Sequence, residues 1–281
     1  MALACALLLS LAVGALRVRP AHAIDAELLA SQSKEPAQPL AKRLQTHDQT
    51  ELLLVLDELA PSPDADRNAR AVAELLRAGQ PDVVTDHALD ALARLGSREA
   101  REVLVTFTRH RRRDARRRAY TALAQLKDAR DAGLIAQGLR DSASEVRNNA
   151  ARWLGELRVR EAAPDLQRAL EQGVTDAAAA LGRVGDAASV QRYDSLVGKL
   201  PLPVMLKGYA NYLERAELPE ATKLHIVAVL EDVSGTQVKE FLAERLKSPP
   251  KYSTPRLQQA LESTLSRVRP APAQPSEQRQ P

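Results

Sequence analysis

The chain has 281 residues and a formal net charge of +4, with 44% hydrophobic, 27% charged and only 3% aromatic residues. Ala, Leu and Arg supply 48, 43 and 31 positions, whereas Ile appears three times and Phe twice. That composition excludes a sheet-built core, which needs more β-branched and aromatic side chains. It also excludes bulk disorder, and it favours helices, where Ala, Leu, Glu and Arg lose little freedom.

In chain order, Ala2 to Leu16 form the one long apolar run, interrupted only by Ser10 and Gly14. Arg17-Val18-Arg19-Pro20 and the small-x-small triplet Ala21-His22-Ala23 follow. The run is short for a bilayer span, so residues 1–23 predict a secretory signal peptide and a mature start at Ile24. The expected location is then periplasmic or extracellular. The two arginines follow the run instead of preceding it, so the alternative is an uncleaved membrane anchor at residues 2–16. Cys5 lies inside the run, which leaves the processed chain no disulfide, thiol nucleophile or Cys-based metal site. Processing also deletes Arg17 and Arg19 and takes the charge from +4 to +2, a weak signal for nucleic acid. Residues 24–39 predict a linker, and the proline-rich residues 269–281 a disordered tail.

Between them, Leu52 to Leu59 predicts a helix closed by the loop Pro61-Ser62-Pro63-Asp64. A repeat then emerges. Leu92, Leu123 and Leu154 are 31 residues apart and Leu181 follows 27 later, each with Ala four positions before and an aliphatic residue three after. That spacing is one face of a helix. The clearest unit runs from Arg130 to Arg160. Leu134, Ile135 and Leu139 make a short first helix ending at Asp141, and Ser142 with Glu145 predicts a capping box. Val146, Ala150, Trp153, Leu154 and Leu157 make the stripe of a second helix. One such hairpin cannot bury both its faces, so neighbours are expected to stack. Beyond Asp186, helices are predicted around 187–198, 203–214, 219–233, 236–247 and 254–268, with their pairing left open.

The segment Leu139-Arg140-Asp141-Ser142-Ala143-Ser144-Glu145-Val146-Arg147, continuing through Ala150-Ala151-Arg152-Trp153-Leu154-Gly155, resembles the short bacterial HEAT-like repeat named after phycobilisome lyases. The resemblance rests on an acid at the turn, a Val-Arg pair early in the second helix, and Ala-Ala-x-x-Leu-Gly after it. The neighbouring units keep the Ala/Leu column but carry His110 in place of Asp141, and Thr85 in place of the Arg. The resemblance implies an all-α, right-handed α-solenoid of stacked helical hairpins over residues 40–268, clearest at 70–186. It also implies that Arg116 and Arg147 pair with acids along the stack.

No phosphate loop, nucleophile elbow or His-Glu-x-x-His motif is present. His47, His87, His110 and His225 fall in different segments, and Asp86-His87 and His47-Asp48 are sequence neighbours that cannot face each other on a helix. No catalytic residue, metal or cofactor is expected, and nothing supports the bilin lyase activity that lends the repeat its name. Arg109 to Arg118 contains seven arginines and one acid, Asp114, at a helix start that disfavours cations. Two readings stand. Arg109, Arg111, Arg112, Arg113, Arg117 and Arg118 form an exposed anion-binding rim while Arg116 points inward, or the guanidiniums pair with acids of adjacent repeats such as Glu145 and Asp82. Trp153, Tyr209 and Tyr212 are candidate partner contacts, with core packing the alternative. The expected function is a non-enzymatic protein–protein interaction scaffold for an acidic protein. Its alternative is nucleic-acid or other polyanion binding through Arg109–Arg118, with membrane contact only if the N-terminal segment stays uncleaved.

Overall fold

The computed structural model describes residues 40–269. The expected signal peptide, the linker and the tail beyond Arg269 lie outside the described residues. Helices follow one another with short turns: α1 Leu40–Arg43, α2 Gln49–Glu58, α3 Ala65–Arg77, α4 Asp82–Leu95, α5 Arg101–Phe107, α6 Arg113–Gln125, α7 Ala132–Gln137 and α8 Ser144–Glu156. They continue as α9 Ala163–Glu171, α10 Asp176–Val184, α11 Ala187–Asp194, α12 Leu202–Leu213, α13 Glu220–Val233, α14 Thr236–Lys247 and α15 Pro255–Arg267. No strand occurs among the described residues, and none of their helices is long and apolar enough to cross a membrane.

Even-numbered helices pack on even-numbered ones, from α2 on α4 through to α12 on α14, and odd-numbered helices form the second layer. This all-α solenoid also settles the pairing after Asp186. Helix α12 extends the row begun by α4, α6, α8 and α10, while α11 and α13 extend the other. The repeated leucines face the seam between the layers, where Leu92, Leu123, Leu154 and Leu181 are wholly buried. Each contributes about 1.5–3 kcal/mol by leaving water.

The 31-residue period reappears in the backbone. Gly96, Lys127 and Arg158 take the left-handed conformation, with φ of 60°, 51° and 53°. Each is followed by a 3-10 turn, at Arg98–Ala100, Ala129–Asp131 and Arg160–Ala162. A left-handed residue closes a helix by turning its N–H back onto the last carbonyls. At Arg158 the next N–H, that of Val159, donates to the Leu154 carbonyl at 3.0 Å. Only the first corner uses glycine, the residue that adopts this conformation without strain.

The shorter unit loses its residues from the start of its second helix: α10 has 9 residues where α8 has 13. Close packing compensates. A Cβ on Gly155 would lie 2.7 Å from the Ala180 Cα, and one on Gly182 would lie 2.6 Å from the Asn211 Cβ and collide with the Gly208 carbonyl. These glycines occupy the same Leu-Gly position in successive repeats and let α8, α10 and α12 approach each other.

One local expectation fails. The Ser142–Glu145 capping box is not formed. Helix α8 starts at Ser144, the Ala143 N–H donates to Asp141 Oδ1 at 2.8 Å, and Ser142 Oγ accepts from Arg116 at 3.3 Å. The Asp141 carboxylate closes the turn at the Ala143 N–H two residues on, and the helix starts beyond Ser142.

Candidate functional site

The arginine-rich segment covers the turn between α5 and α6 and the first turns of α6. Most of its charge is spent on neighbouring repeats. Arg112 makes a two-pronged bond to Asp86 at 2.8 and 2.9 Å and meets Asp82 at 3.1 Å. Arg118 pairs with Asp90 and lies 3.8 Å from Asp86. Arg113 reaches forward to Glu145 at 3.3 Å. Asp82, Asp86 and Asp90 stand at i, i+4 and i+8 on α4, one acidic stripe facing the arginines of the next repeat. The exposed rim therefore contracts. Arg112, Arg117 and Arg118 are half-buried, while Arg109, Arg111 and Arg113 are exposed. Arg109, Arg111 and Arg117 have no ion-pair partner among the described residues.

Arg116 points inward as expected. It forms a fork with Asp141 of the following repeat, both bonds 2.7 Å, and the two side chains are 12% and 9% exposed. The bond to Asp141 raises the Arg116 pKa. Burial pushes the Asp141 carboxyl up, but the Arg116 bond and the Ala143 N–H outweigh it and leave the pKa below the ordinary value. The same guanidinium donates to the carbonyls of His110 and Arg111.

This arrangement repeats down the stack. One unit on, Arg147 donates to the carbonyls of Asp141 and Ser142 at 2.8 and 3.0 Å. One unit back, Thr85 Oγ1 donates to the Gln80 carbonyl at 3.2 Å. Arg147 has no carboxylate partner among the described residues, so the pairing implied for it holds at Arg116 alone. His110 substitutes for Asp141, since its Nδ1 accepts the Arg112 N–H at 3.2 Å as Asp141 accepts that of Ala143. Burial first, and then Arg112 and Arg111, lowers the His110 pKa, so the ring stays an acceptor.

Two of the three aromatic candidates are core residues. Tyr209 and Tyr212 are fully buried and cannot meet a partner. They pack edge-on against Tyr193 at 5.1 and 5.7 Å, and burial pushes all three phenol pKa values up. Tyr209 donates to Asp194 at 2.7 Å and Tyr193 to the Met205 carbonyl at 2.9 Å. Trp153 is half-buried. Its Nε1 donates to Thr121 Oγ1 at 3.3 Å, and the Arg152 guanidinium lies 4.8 Å from the ring centre. The indole thus reaches back to α6.

Two histidines serve as pins between repeats, His87 on Asp57 at 2.9 Å and His225 on Asp194 at 2.8 Å. No group of three or more His, Cys, Asp or Glu side chains suited to a metal occurs among the described residues.

Residues 146–172 match the family model described as the PBS lyase HEAT-like repeat. No curated protein matches the sequence. Among solved structures, the chain is similar to the complex of CpcE and CpcF of phycocyanin lyase from Nostoc sp. PCC7120, at 16% identity and a TM-score of 0.45, covering 84% of this chain and 98% of that one. An engineered protein from a structural genomics programme is 19% identical over 82% of this chain and 67% of its own, with a TM-score of 0.45. A designed armadillo repeat protein in complex with the peptide (KR)4 is 15% identical over 82% of this chain and 98% of its own, with a TM-score of 0.38. The matched signature falls on the unit whose corner, turn and buried leucine recur through the stack, and it identifies that unit as a HEAT-like repeat.

Proposed function

We propose that the chain is an exported, non-enzymatic scaffold that holds another protein along the outer faces of its even-numbered helices. The reading is carried by a contrast between columns of the repeat. The inward column Leu92, Leu123, Leu154 and Leu181 never changes. The outward column Arg94, Gln125, Glu156 and Arg183 changes at every unit. Stacking needs the uniform column, and a face whose chemistry varies stepwise offers an extended partner a different contact at each step. Export rests on the apolar run and the Ala21-His22-Ala23 site. Arg109 and Arg111, exposed and without ion-pair partners among the described residues, favour an acidic partner. They are also the one observation favouring the polyanion alternative.

The test is crosslinking of the tagged full chain to its partner in a bacterial envelope extract, mapped by mass spectrometry. Crosslinks on the solvent faces of α4 to α12 support the reading. Crosslinks confined to the odd-numbered helices, or accumulation of the protein in the cytosol, refute it. Tight, salt-sensitive retention on heparin without any captured protein would replace it with the polyanion reading.

A further inference from the structure

The C-terminal ends of α8, α10 and α12 meet the loop before α15 around a cleft of about 350 Å³. Arg158, Arg183 and Arg215 line it. Cations at helix C-termini complement the backbone dipoles, so guanidiniums are held here without a full set of carboxylates. Neither Arg158 nor Arg183 has a side-chain hydrogen bond or ion pair among the described residues. Arg215 is withdrawn to 9% exposure. It donates to the Gly185 carbonyl, its Nε has no hydrogen bond among the described residues, and its carboxylate neighbour Glu217 is 3.7 Å away. Burial lowers the Arg215 pKa against the support of Glu217, and Arg160 and Arg158 lower it further. An incoming anion would relieve all three.

The acids of the cleft are committed elsewhere. Glu156 meets Arg152 at 3.5 Å, Glu214 meets Arg245 at 3.4 Å and accepts the Lys251 N–H at 3.0 Å, and Glu217 meets Arg160 at 3.1 Å. They leave Arg158 and Arg183 without a partner and Arg215 with only the distant Glu217, and they ring the cleft with negative charge. That ring opposes a densely charged polyanion far more than a single carboxylate, for which Arg158 and Arg183 are the free partners. Tyr252, 47% exposed, adds an aromatic face among the lining residues.

We propose that this cleft binds a single carboxylate of a peptide segment in which one acidic residue is flanked by uncharged ones. The proposal deepens the scaffold reading and rests on it for the origin of the peptide, while its chemistry is tested without that partner. The probe is a blocked nonapeptide carrying one Glu among Leu, Ala and Ser, with its Gln counterpart as control. Binding to the full chain is followed by fluorescence anisotropy and by the Nε–Hε NMR signals of the arginines.

Saturable binding of the Glu peptide, shifts at Arg158 and Arg183, and a loss of about tenfold or more in the Arg158→Gln/Arg183→Gln double variant are expected. Arg183→Lys, which keeps the charge but not the fork, should fall between the two. Both replaced side chains lack partners, so the variants should melt with the parent. Equal binding of the Gln peptide, an unaffected double variant, or no saturation by about 1 mM overturns the proposal. So does a heparin fragment that competes for the same two arginines, which would make the cleft a polyanion site. Each of these leaves the crosslinking test of the scaffold untouched.

Discussion

Three helical glycines provide a graded test of the packing between repeats. Glycine in a helix interior costs about 0.5–1 kcal/mol relative to alanine, so Gly→Ala stabilises wherever the methyl has room. At Gly133 on α7 a Cβ meets nothing within 4 Å, and Gly133→Ala should stabilise by about 0.5 kcal/mol or slightly more. At Gly155 the Cβ would stand 2.7 Å from the Ala180 Cα and 2.9 Å from its Cβ. At Gly182 it would stand 2.6 Å from the Asn211 Cβ and run into the Gly208 carbonyl. Backbone and Cβ atoms cannot rotate aside, so α10 must slide relative to its neighbours. Overpacking of this kind costs about 1–3 kcal/mol, which exceeds the propensity gain. The net expectation for either variant is a loss of about 1–2 kcal/mol, or about 2–8 °C in a unit of this size. Thermal and urea unfolding followed by circular dichroism read the series. If Gly155→Ala and Gly182→Ala are as stabilising as Gly133→Ala, α8, α10 and α12 do not pack as described.

The Arg116–Asp141 fork, at 12% and 9% exposure, should show a coupling of about 1.5–3 kcal/mol in a double-mutant cycle, and the solvent-screened Arg113–Glu145 pair a clearly smaller one. Because the Asp141 pKa is lowered in the folded state, its contribution is complete above the unfolded value near 4 and fades as pH falls through the folded one. Parent and Asp141→Asn chains should therefore converge in stability under acid, and a constant difference from pH 7 to pH 2 would contradict the pairing. Lys127→Gly should stabilise by about 0.5–1 kcal/mol, since Lys127 holds φ at 51° where glycine is unstrained; a loss on urea unfolding would contradict this. Leu123→Ala and Leu154→Ala, both at fully buried positions, should each cost about 2–5 kcal/mol on urea unfolding, and a smaller loss would contradict equivalent anchors.

The stack was legible wherever one side chain repeated at one period. The leucine column fixed the second helices, and the inward course of Arg116 followed from its repeat position. Helix pairing beyond Asp186 was not legible, because the glycine contacts that carry α10 onto α12 leave no hydrophobic period to read. The fate of the arginines was half legible. Glu145 and Asp82 could be named as partners, but Asp86 and Asp90 were missed, although with Asp82 they form a four-residue spacing on α4 that signals an acidic stripe. Tyr209 and Tyr212 could not be assigned from spacing alone, since an amphipathic helix presents the same pattern to a core or a partner. The capping box failed because the Asp141 carboxylate closed the turn at the Ala143 N–H and the helix began at Ser144, past the position the box requires.

The arginine run divides into guanidiniums that join repeats and guanidiniums left for a ligand. The direct measurement compares two triple variants of the full chain, Arg112→Gln/Arg116→Gln/Arg118→Gln and Arg109→Gln/Arg111→Gln/Arg117→Gln, by melting temperature and by the salt needed to elute each from an acidic partner or a heparin column. The first set removes the bonds to Asp82, Asp86, Asp90 and Asp141, and should melt several degrees lower or fail to fold. The second should melt with the parent and elute at clearly lower salt, because its three arginines have no ion-pair partner among the described residues and charges that act through solvent are screened within about 10 Å at 0.1 M. Equal melting losses in the two sets, or unchanged elution of the second, would contradict the division.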